Sequence, residues 1–184
     1  MVLDRLKEDV RTALAKDPAA TSAVTVALLY PGLHAVWVYR IAHWLWNRGN
    51  TFAARALSQL VRLPTGVEIH PAADIGRRLF IDHGAAVVVG ETAEIGDDVL
   101  LYHGVTLGGD SMRREKRHPT LEDGVTVGAN ATLLGAITVG ENASVGAGSV
   151  VVDDVPADTT VAGSPAKPVS GTGADRVAED CSPE

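Results

Sequence analysis

Aliphatic residues return at every sixth position along much of the chain, and a glycine or small polar residue usually follows each one. This period holds from about Val67 to Val161. It fits neither the 3.6-residue period of a helix nor the two-residue period of a strand, and a fixed repeat of this length is typical of a solenoid. The sequence therefore predicts a parallel β-helix, in which each hexad supplies one short strand and one corner. The inward positions of the clearest run are Leu121, Val127, Leu133, Val139, Val145 and Val151.

The six-residue period is interrupted twice. Ile81 and Val89 are eight residues apart, and Leu107 and Leu121 are fourteen apart, which leaves a protruding loop at 108–120. Insertions in repeat proteins collect on the functional face. We therefore expect the chemistry of this protein to lie at the two interruptions.

Both interruptions carry reactive side chains. His83, beside Asp82 in the first, is a candidate general base, because a neutral imidazole can accept an alcohol proton near pH 7. Such a base needs an orienting acceptor on its other ring nitrogen. Glu68 and Asp82 are both nearby carboxylates, and the residues alone do not choose between them. The second interruption contains Arg117 and His118. An arginine there can bind a carboxylate through two hydrogen bonds or neutralise phosphate charge.

The first third of the chain lacks hexads and has helical periodicity instead. Asp17-Pro18 predicts a helix N-cap followed by proline at the first helical position, and Pro31 predicts the start of a helix over 32–47. A last helix over about 51–63 is predicted to end at Pro64. A helical segment of this kind can cover the open end of a solenoid.

The fold class predicted from these patterns is α+β, with a helical domain preceding the β-helix. The predicted division is a helical domain at 1–63, a β-helix domain at 64–165 and a polar tail at 166–184. The tail is rich in glycine, alanine, serine and acidic residues, which is typical of a mobile segment.

Composition narrows the class of protein further. The hydrophobic content of 46% is enough for a buried core, and the net charge of −7 argues against a nucleic-acid partner. The single cysteine, Cys181, excludes an internal disulfide framework and favours a reducing compartment. Residues 1–16 are charged throughout and do not resemble a secretory signal, and the apolar run at 24–30 is too short to span a bilayer. We therefore expect a cytoplasmic protein without a membrane partner.

A metal site is the alternative interpretation of the histidines. His103 follows His83 by 20 residues, so one coil of eighteen plus the two-residue insertion would stack the two on one face. Together with His70 they would form the three-histidine site of a metal-dependent hydratase. No closely spaced pair of metal-binding histidines supports this alternative, and no metal is expected. A second alternative is a solenoid scaffold without catalytic activity.

Several motifs resemble those of the serine O-acetyltransferases, from Asp17 to about Pro168. Hexads alone would indicate only the wider superfamily, whereas the helical match combined with Asp-His-Gly and Arg-His-Pro is more specific. The matching segments include Gly32-Leu33-His34-Ala35, Glu68-Ile69-His70-Pro71, Ile81-Asp82-His83-Gly84, Val89-Gly90-Glu91-Thr92, Gly104-Val105-Thr106-Leu107-Gly108-Gly109, Arg117-His118-Pro119 and Ala162-Gly163-Ser164-Pro165-Ala166-Lys167.

The resemblance implies an enzyme that transfers acetyl from acetyl-CoA to the hydroxyl of L-serine, which is the first step of cysteine biosynthesis. It implies a left-handed β-helix with His83 as the catalytic base and Glu68 as its carboxylate partner. By the same resemblance the residues that contact serine are Asp17 and Asp82 at the ammonium, Arg117 at the carboxylate, and His118 beside it. The positions that match the acetyl-CoA groove are Gly109, Ala129, Ala147 and Lys167.

The resemblance also implies a homotrimer, or two such trimers joined as a dimer, with active sites between neighbouring subunits. This sequence lacks the long amino-terminal extension that joins two trimers in some relatives, so a trimer is predicted. It does not end in isoleucine, which puts a complex with the sulfhydrylase that consumes O-acetylserine in doubt. Asp110 and His103 depart from the family pattern, and the extra acid near the acceptor side leaves homoserine, a sugar or an antibiotic as alternative acceptors.

Overall fold

The computed structural model describes residues 2–169 and has the predicted order of helices followed by a parallel β-helix. The helices of this part of the chain are α1 (Val2–Lys16), α2 (Ala23–Leu29), α3 (Pro31–Trp46) and α4 (Thr51–Thr65). The strands are β1 (Val67–Ile69), β2 (Asp74–Ile75), β3 (Phe80–Ile81), β4 (Val87–Val89), β5 (Glu94–Ile95), β6 (Leu100–Leu101), β7 (Thr106–Gly108), β8 (Thr120–Leu121), β9 (Thr126–Val127), β10 (Thr132–Leu134), β11 (Thr138–Val139), β12 (Ser144–Val145), β13 (Val150–Val151), β14 (Thr160–Gly163) and β15 (Ala166–Pro168).

Three parallel sheets form the faces of the coil. The first face stacks β1-β4-β7-β10-β13, the second stacks β2-β5-β8-β11, and the third stacks β3-β6-β9-β12-β14 with β15 at its end. The pairing registers give the length of each turn. Thr132 pairs with Val150, a step of 18 residues, whereas Val67 pairs with Val87, a step of 20, and Thr106 pairs with Thr132, a step of 26. The two long turns contain the two predicted insertions.

Inward-pointing aliphatic side chains fill the coil as the hexads predict. Every inward position of the clearest run is at most 3% exposed. Burying a valine or leucine completely contributes on the order of 1.5–3 kcal/mol, so stacking such residues stabilises each turn against the next. The same residues form one continuous hydrophobic cluster from the first turn to the last.

The helices are attached to the first turn of the coil and cover its open end. The hydroxyl of Ser58 on α4 donates to the carbonyl of Ile69 at 2.6 Å, and the hydroxyl of Tyr39 on α3 donates to the carbonyl of Ala73 at 2.6 Å. A second apolar cluster joins α1, α2 and α3 to β3 through the buried side chains of Ala13, Val26, Leu33 and Phe80. This packing fixes the position of the helical segment relative to the residues that follow β3.

Two predicted helix ends are wrong. Asp17 does not cap a helix, because it follows the last residue of α1 and the side chain of Ser22 caps α2 instead. The last helix does not stop at Pro64 but continues to Thr65, where Gly66 takes a left-handed conformation with φ of 70° and donates to the carbonyl of Arg62 at 2.8 Å. Pro64 thus lies inside the final turn of α4, with Thr65 between it and the cap.

The segment predicted as a tail begins with a strand. Ala166–Pro168 pairs antiparallel with β14, and Lys167 is opposite Ala162. Residues 170–184, which include Cys181, lie outside the described residues. Within residues 2–169 no single helix is long and apolar enough to cross a membrane, although α2 and α3, bent by 64°, reach that length and hydropathy together.

Candidate active site

The first interruption forms a tight corner between the third and first faces. His83 and Gly84 both have left-handed backbones, with φ of 61° and 74°. The N–H of Gly84 donates to the carbonyl of Asp82 at 2.8 Å, which closes the turn. Histidine is one of the few side chains that adopt positive φ with some frequency. The corner directs the imidazole outward, and 73% of the His83 side chain is exposed.

Three polar side chains surround the His83 ring. The carboxylate of Asp82 lies 3.7 Å from Nε2 of His83 and is mostly buried. The His103 ring is 5.8 Å away in an edge-on arrangement, as the predicted stacking of successive turns requires. Nδ1 of His103 is buried and has no hydrogen-bond partner among residues 2–169. Asp17 contributes a second negative charge within electrostatic range of His83.

Asp17 is held by two hydrogen-bond donors. The hydroxyl of Tyr30 donates to Oδ2 at 2.5 Å, and the N–H of Ala19 donates to Oδ1 at 2.8 Å. These two bonds, the Tyr30 bond first, lower the pKa of Asp17 because they stabilise the ionised carboxylate. Sequence reasoning missed Tyr30. Its position directly before Pro31 was the available signal, but sequence could not show that its hydroxyl reaches Asp17.

Glu68 has other partners in this chain. It lies on β1, where Oε2 is 2.8 Å from a guanidinium nitrogen of Arg62 and Oε1 accepts a hydrogen bond from Gln59 at 3.2 Å. Asp82 is therefore the carboxylate that the single chain places beside His83. The pairing of Glu68 with His83 stays a prediction.

The second interruption places Arg117 and His118 at a different corner, between the first and second faces. Nη2 of Arg117 forms an ion pair with Oε2 of Glu91 at 2.6 Å. The backbone N–H groups of Arg117 and His118 both donate to the hydroxyl oxygen of Thr92, at 3.0 and 3.2 Å. His118 is only 8% exposed. Its ring packs on Gly90, where an added Cβ would lie 1.9 Å from Cδ2 of His118.

Charge at this second corner is set by burial and by the arginines. The hydrogen bond from Arg117 lowers the pKa of Glu91, so that carboxylate stays ionised. Burial is the main cause that lowers the pKa of His118, and the positive charge of Arg117 is the second cause. Burial, followed by the positive charge of Arg55, lowers the pKa of His70 to about 4. Both imidazoles are therefore neutral near pH 7, while the Glu91 carboxylate is ionised.

The positions predicted for the acetyl-CoA groove follow the coil. Backbone hydrogen bonds link the turns at the His83 corner, from Asn130 to His103 and from Gly148 to Ala129. Ala129 and Ala147 thus lie along the edge that begins at His83. Lys167 is on β15, five strand steps from β3 and about 24 Å away along the third face.

Gly109 lies apart from this edge, beneath the second corner. A Cβ there would be 3.2 Å from both Cγ of Arg117 and Nε2 of His118. The groove residues are therefore divided between the two corners as well.

The structure brings together only part of the predicted site. One corner holds Asp17, Asp82 and His83, and we call it the base corner. The other holds Arg117 and His118, and we call it the arginine corner. His70 interacts electrostatically with the arginine corner and packs edge-on against Trp46, so the three histidines of the metal alternative do not converge within one chain. The described part of the chain contains no group of three metal-binding side chains.

The fold and the repeats define the class of this protein. Residues 118–153 match the family described as bacterial transferase hexapeptide (six repeats). The β-helix of the chain thus has the repeat of the bacterial hexapeptide transferases.

Whole-chain relatives narrow the class to one enzyme family. The chain is 54% identical to the serine acetyltransferase of Mycobacterium tuberculosis, over 89% of this chain and 72% of that one. It is 56% identical to the serine acetyltransferase of Helicobacter pylori, over 90% of this chain and 96% of that one. The chain belongs to the serine acetyltransferase family.

Solved structures agree with this assignment. Neisseria gonorrhoeae serine acetyltransferase in complex with serine superposes with a TM-score of 0.88 at 43% identity, covering 92% of this chain and 69% of that one. Brucella abortus serine acetyltransferase in complex with coenzyme A superposes with a TM-score of 0.89 at 41% identity, covering 93% and 68%.

Proposed function

We propose that this protein transfers the acetyl group of acetyl-CoA to the hydroxyl of L-serine, giving O-acetyl-L-serine and CoA, with His83 as the general base. The observation that carries the proposal is the base corner itself. It presents an exposed imidazole 3.7 Å from the Asp82 carboxylate and within electrostatic range of Asp17, in a chain that belongs to the serine acetyltransferase family. An imidazole base and a pair of acids suit an acceptor that has both a hydroxyl and an ammonium group.

The reaction needs one proton to move and return. A ring nitrogen of His83 removes the proton from the serine hydroxyl as the oxygen attacks the thioester carbonyl. The tetrahedral adduct then expels the CoA thiolate, which takes the proton from the imidazolium, and no acyl-enzyme forms. Asp82, 3.7 Å from the ring, stabilises the imidazolium while it exists.

The charged residues of the two corners match the two ends of serine. Asp17 and Asp82 attract the ammonium group, and both are beside the base. Arg117 has guanidinium donors in excess of its bond to Glu91, and these can hold the carboxylate. A sugar acceptor would leave these charges without partners, which disfavours it.

We further propose that the active site is shared between subunits of a homotrimer. Within one chain the base corner and the arginine corner follow different faces, and no hydrogen bond or ion pair connects His83 to Arg117 among the described residues. A cyclic assembly that sets the base corner of one subunit against the arginine corner of the next would complete every site. Glu68 would then act as the partner of His83 only after its bonds to Arg62 and Gln59 change.

The long edge of the coil suits an extended co-substrate. Ala129 and Ala147 leave room for the pantetheine part of acetyl-CoA, and Lys167 would meet its charged end. A cytoplasmic location agrees with a single cysteine in 184 residues.

A different acceptor is the second candidate function, and Asp110 is the observation that favours it. A Cβ on Gly135 would lie 2.9 Å from Oδ2 of Asp110, and the charge of Asp110 reaches His118. This acid stands close to where the carboxylate of serine would bind. A panel of L-serine, L-homoserine and amino sugars measures whether it changes the preference.

The test is the release of free thiol from acetyl-CoA by the purified protein. We expect release that saturates with L-serine, together with a product whose mass is that of O-acetylserine. Thiol release that does not respond to L-serine at any concentration would overturn the proposal. Saturation by another acceptor alone would favour the second candidate.

A further inference from the structure

Tyr30 connects the helical segment to the base corner. It lies between α2 and α3 with an extended backbone, φ of −91° and ψ of 104°. Its own N–H donates to the carbonyl of Val26 at 3.3 Å, and its hydroxyl donates to Asp17 at 2.5 Å. The side chain also packs against the apolar cluster formed by α1, α2, α3 and β3. Its backbone is therefore held by a hydrogen bond and its ring by packing.

The start of α3 rests directly on the base corner, which fixes Tyr30 relative to His83. A Cβ on Gly32 would lie 2.1 Å from the carbonyl oxygen of Ile81, so only glycine permits this approach. A Cβ on Gly84 would lie 3.4 Å from the nitrogen of Gly32. The residue after His83 and the second residue of α3 are thus in close backbone contact.

The hydrogen bond between Tyr30 and Asp17 keeps each group in the state that the contact needs. The bond to Asp17, then burial and the charge of Asp82, raise the pKa of Tyr30 to about 12, so the hydroxyl keeps its proton and donates. The same bond is the largest cause of the lowered pKa of Asp17. One carboxylate oxygen faces Tyr30 and the other accepts from Ala19, which leaves the remaining lone pairs in a fixed direction.

We infer that Tyr30 is a positioning residue for the ammonium group of the acceptor, acting through the Asp17 carboxylate. This inference rests on the proposed function. Tyr30 itself need not touch the substrate. Its hydroxyl fixes the direction of the Asp17 carboxylate beside the base corner, so that the ammonium group meets a hydrogen-bond acceptor that is already in place. Binding of the amino acid, more than the rate of transfer, depends on this bond.

The experiment compares Tyr30→Phe, Asp17→Asn and the double variant in the full-length protein, with L-serine as the varied substrate. Tyr30→Phe removes one hydroxyl and keeps the ring that packs in the helical cluster. Because a hydrogen bond to a charged group is involved, we expect the KM for L-serine to rise by roughly tenfold, with kcat and the KM for acetyl-CoA within about twofold of wild type. Asp17→Asn has a larger effect. The double variant equals Asp17→Asn, because Tyr30 acts only through that carboxylate.

Tyr39→Phe is the matched control. It removes a tyrosine hydroxyl with a bond of similar length, 2.6 Å to the carbonyl of Ala73, and this bond involves no residue of the base corner. It should lower the melting temperature and leave the KM for L-serine unchanged. A purely structural role for Tyr30 predicts the same behaviour for Tyr30→Phe, so the two variants separate the hypotheses.

Two results would overturn the inference while the proposed function stands. One is a wild-type protein active on L-serine whose Tyr30→Phe variant keeps the wild-type KM. The other is a double variant in which the two single effects multiply. A wild-type protein that transfers nothing to L-serine would overturn the proposed function and this inference together.

Discussion

The base corner and the arginine corner are built in different ways from the same repeat. Arg117 and His118 are held by residues one turn earlier in the coil, the Glu91 carboxylate and the Thr92 hydroxyl, and His118 is almost fully buried. His83 lies in a left-handed turn with Asp82 and the His103 ring as neighbours, and its side chain is mostly exposed. Its acidic neighbour Asp17 comes from the helical segment, more than sixty residues away in sequence.

The difference shows which half of the site the solenoid can form unaided. Stacked turns give the arginine corner its partners locally, so the group proposed to bind the serine carboxylate is rigid before substrate arrives. The base corner depends on packing between the helices and the coil, and its exposed imidazole needs substrate or a neighbouring subunit to cover it. Changes at the junction of α2 and α3 should therefore affect the base corner more than the arginine corner.

The largest expected effect is that of His83→Asn. Asparagine is suited to the positive φ of this position, so the turn is kept while the base is removed. We expect kcat to fall by about 10²–10⁴, since a positioned general base contributes that much. The circular dichroism spectrum and the assembly size should match wild type because the side chain is exposed. A variant with full activity would remove His83 from the mechanism.

Gly32→Ala should produce the next largest effect, and only at the base corner. In an open helix the change would be favourable, but here the new methyl group would overlap the carbonyl of Ile81. Overpacking of this kind costs about 1–3 kcal/mol, so we expect the melting temperature to fall by roughly 2–10 °C and the KM for L-serine to rise as Asp17 shifts.

Gly108→Ala is the control for this change, because its Cβ would meet the flexible end of Leu134 at 2.8 Å. It should be milder in both measurements. Equal effects from the two alanines would contradict the idea that α3 positions the base corner.

The smallest expected effect is on the pH dependence of stability, through His70 next to the arginine corner. The pKa of His70 is about 4 when folded and near 6.5 when unfolded, so the unfolded chain binds the extra proton between these values. Stability from this group is present above pH 6.5 and is lost as the pH falls toward 4. In urea unfolding at pH 7 and pH 5, His70→Gln should lose less stability than wild type, by about 1 kcal/mol at this partly exposed site. Parallel losses in the two proteins would contradict the assignment.

The sequence predicts the coil well because each hexad depends on its own residues. The burial of Val127 or Leu133 and the two long turns follow directly from the period. The Asp82-His83 corner and the Arg117-His118 loop could be found for the same reason, since each interrupts the six-residue repeat.

The rest depends on contacts between distant segments. Asp17 has the sequence of a helix N-cap, but its carboxylate is used by Tyr30 and by the turn at Ala19. Ala166–Pro168 was predicted as tail because its hexad is absent, yet it pairs with β14 through its backbone. Glu68 and Asp82 could not be ranked as partners of His83, because the choice depends on Arg62 and Gln59 in α4.

The central claim is that each active site combines the base corner of one subunit with the arginine corner of another. The most direct measurement uses His83→Asn and Arg117→Ala chains that carry different affinity tags, are expressed together and are purified through both tags. Each variant alone should be nearly inactive. Every doubly tagged trimer should contain one site with both residues intact, so we predict about a third of the wild-type activity. Doubly tagged assemblies no more active than the two variants alone would contradict the claim and place both residues in a site within one chain.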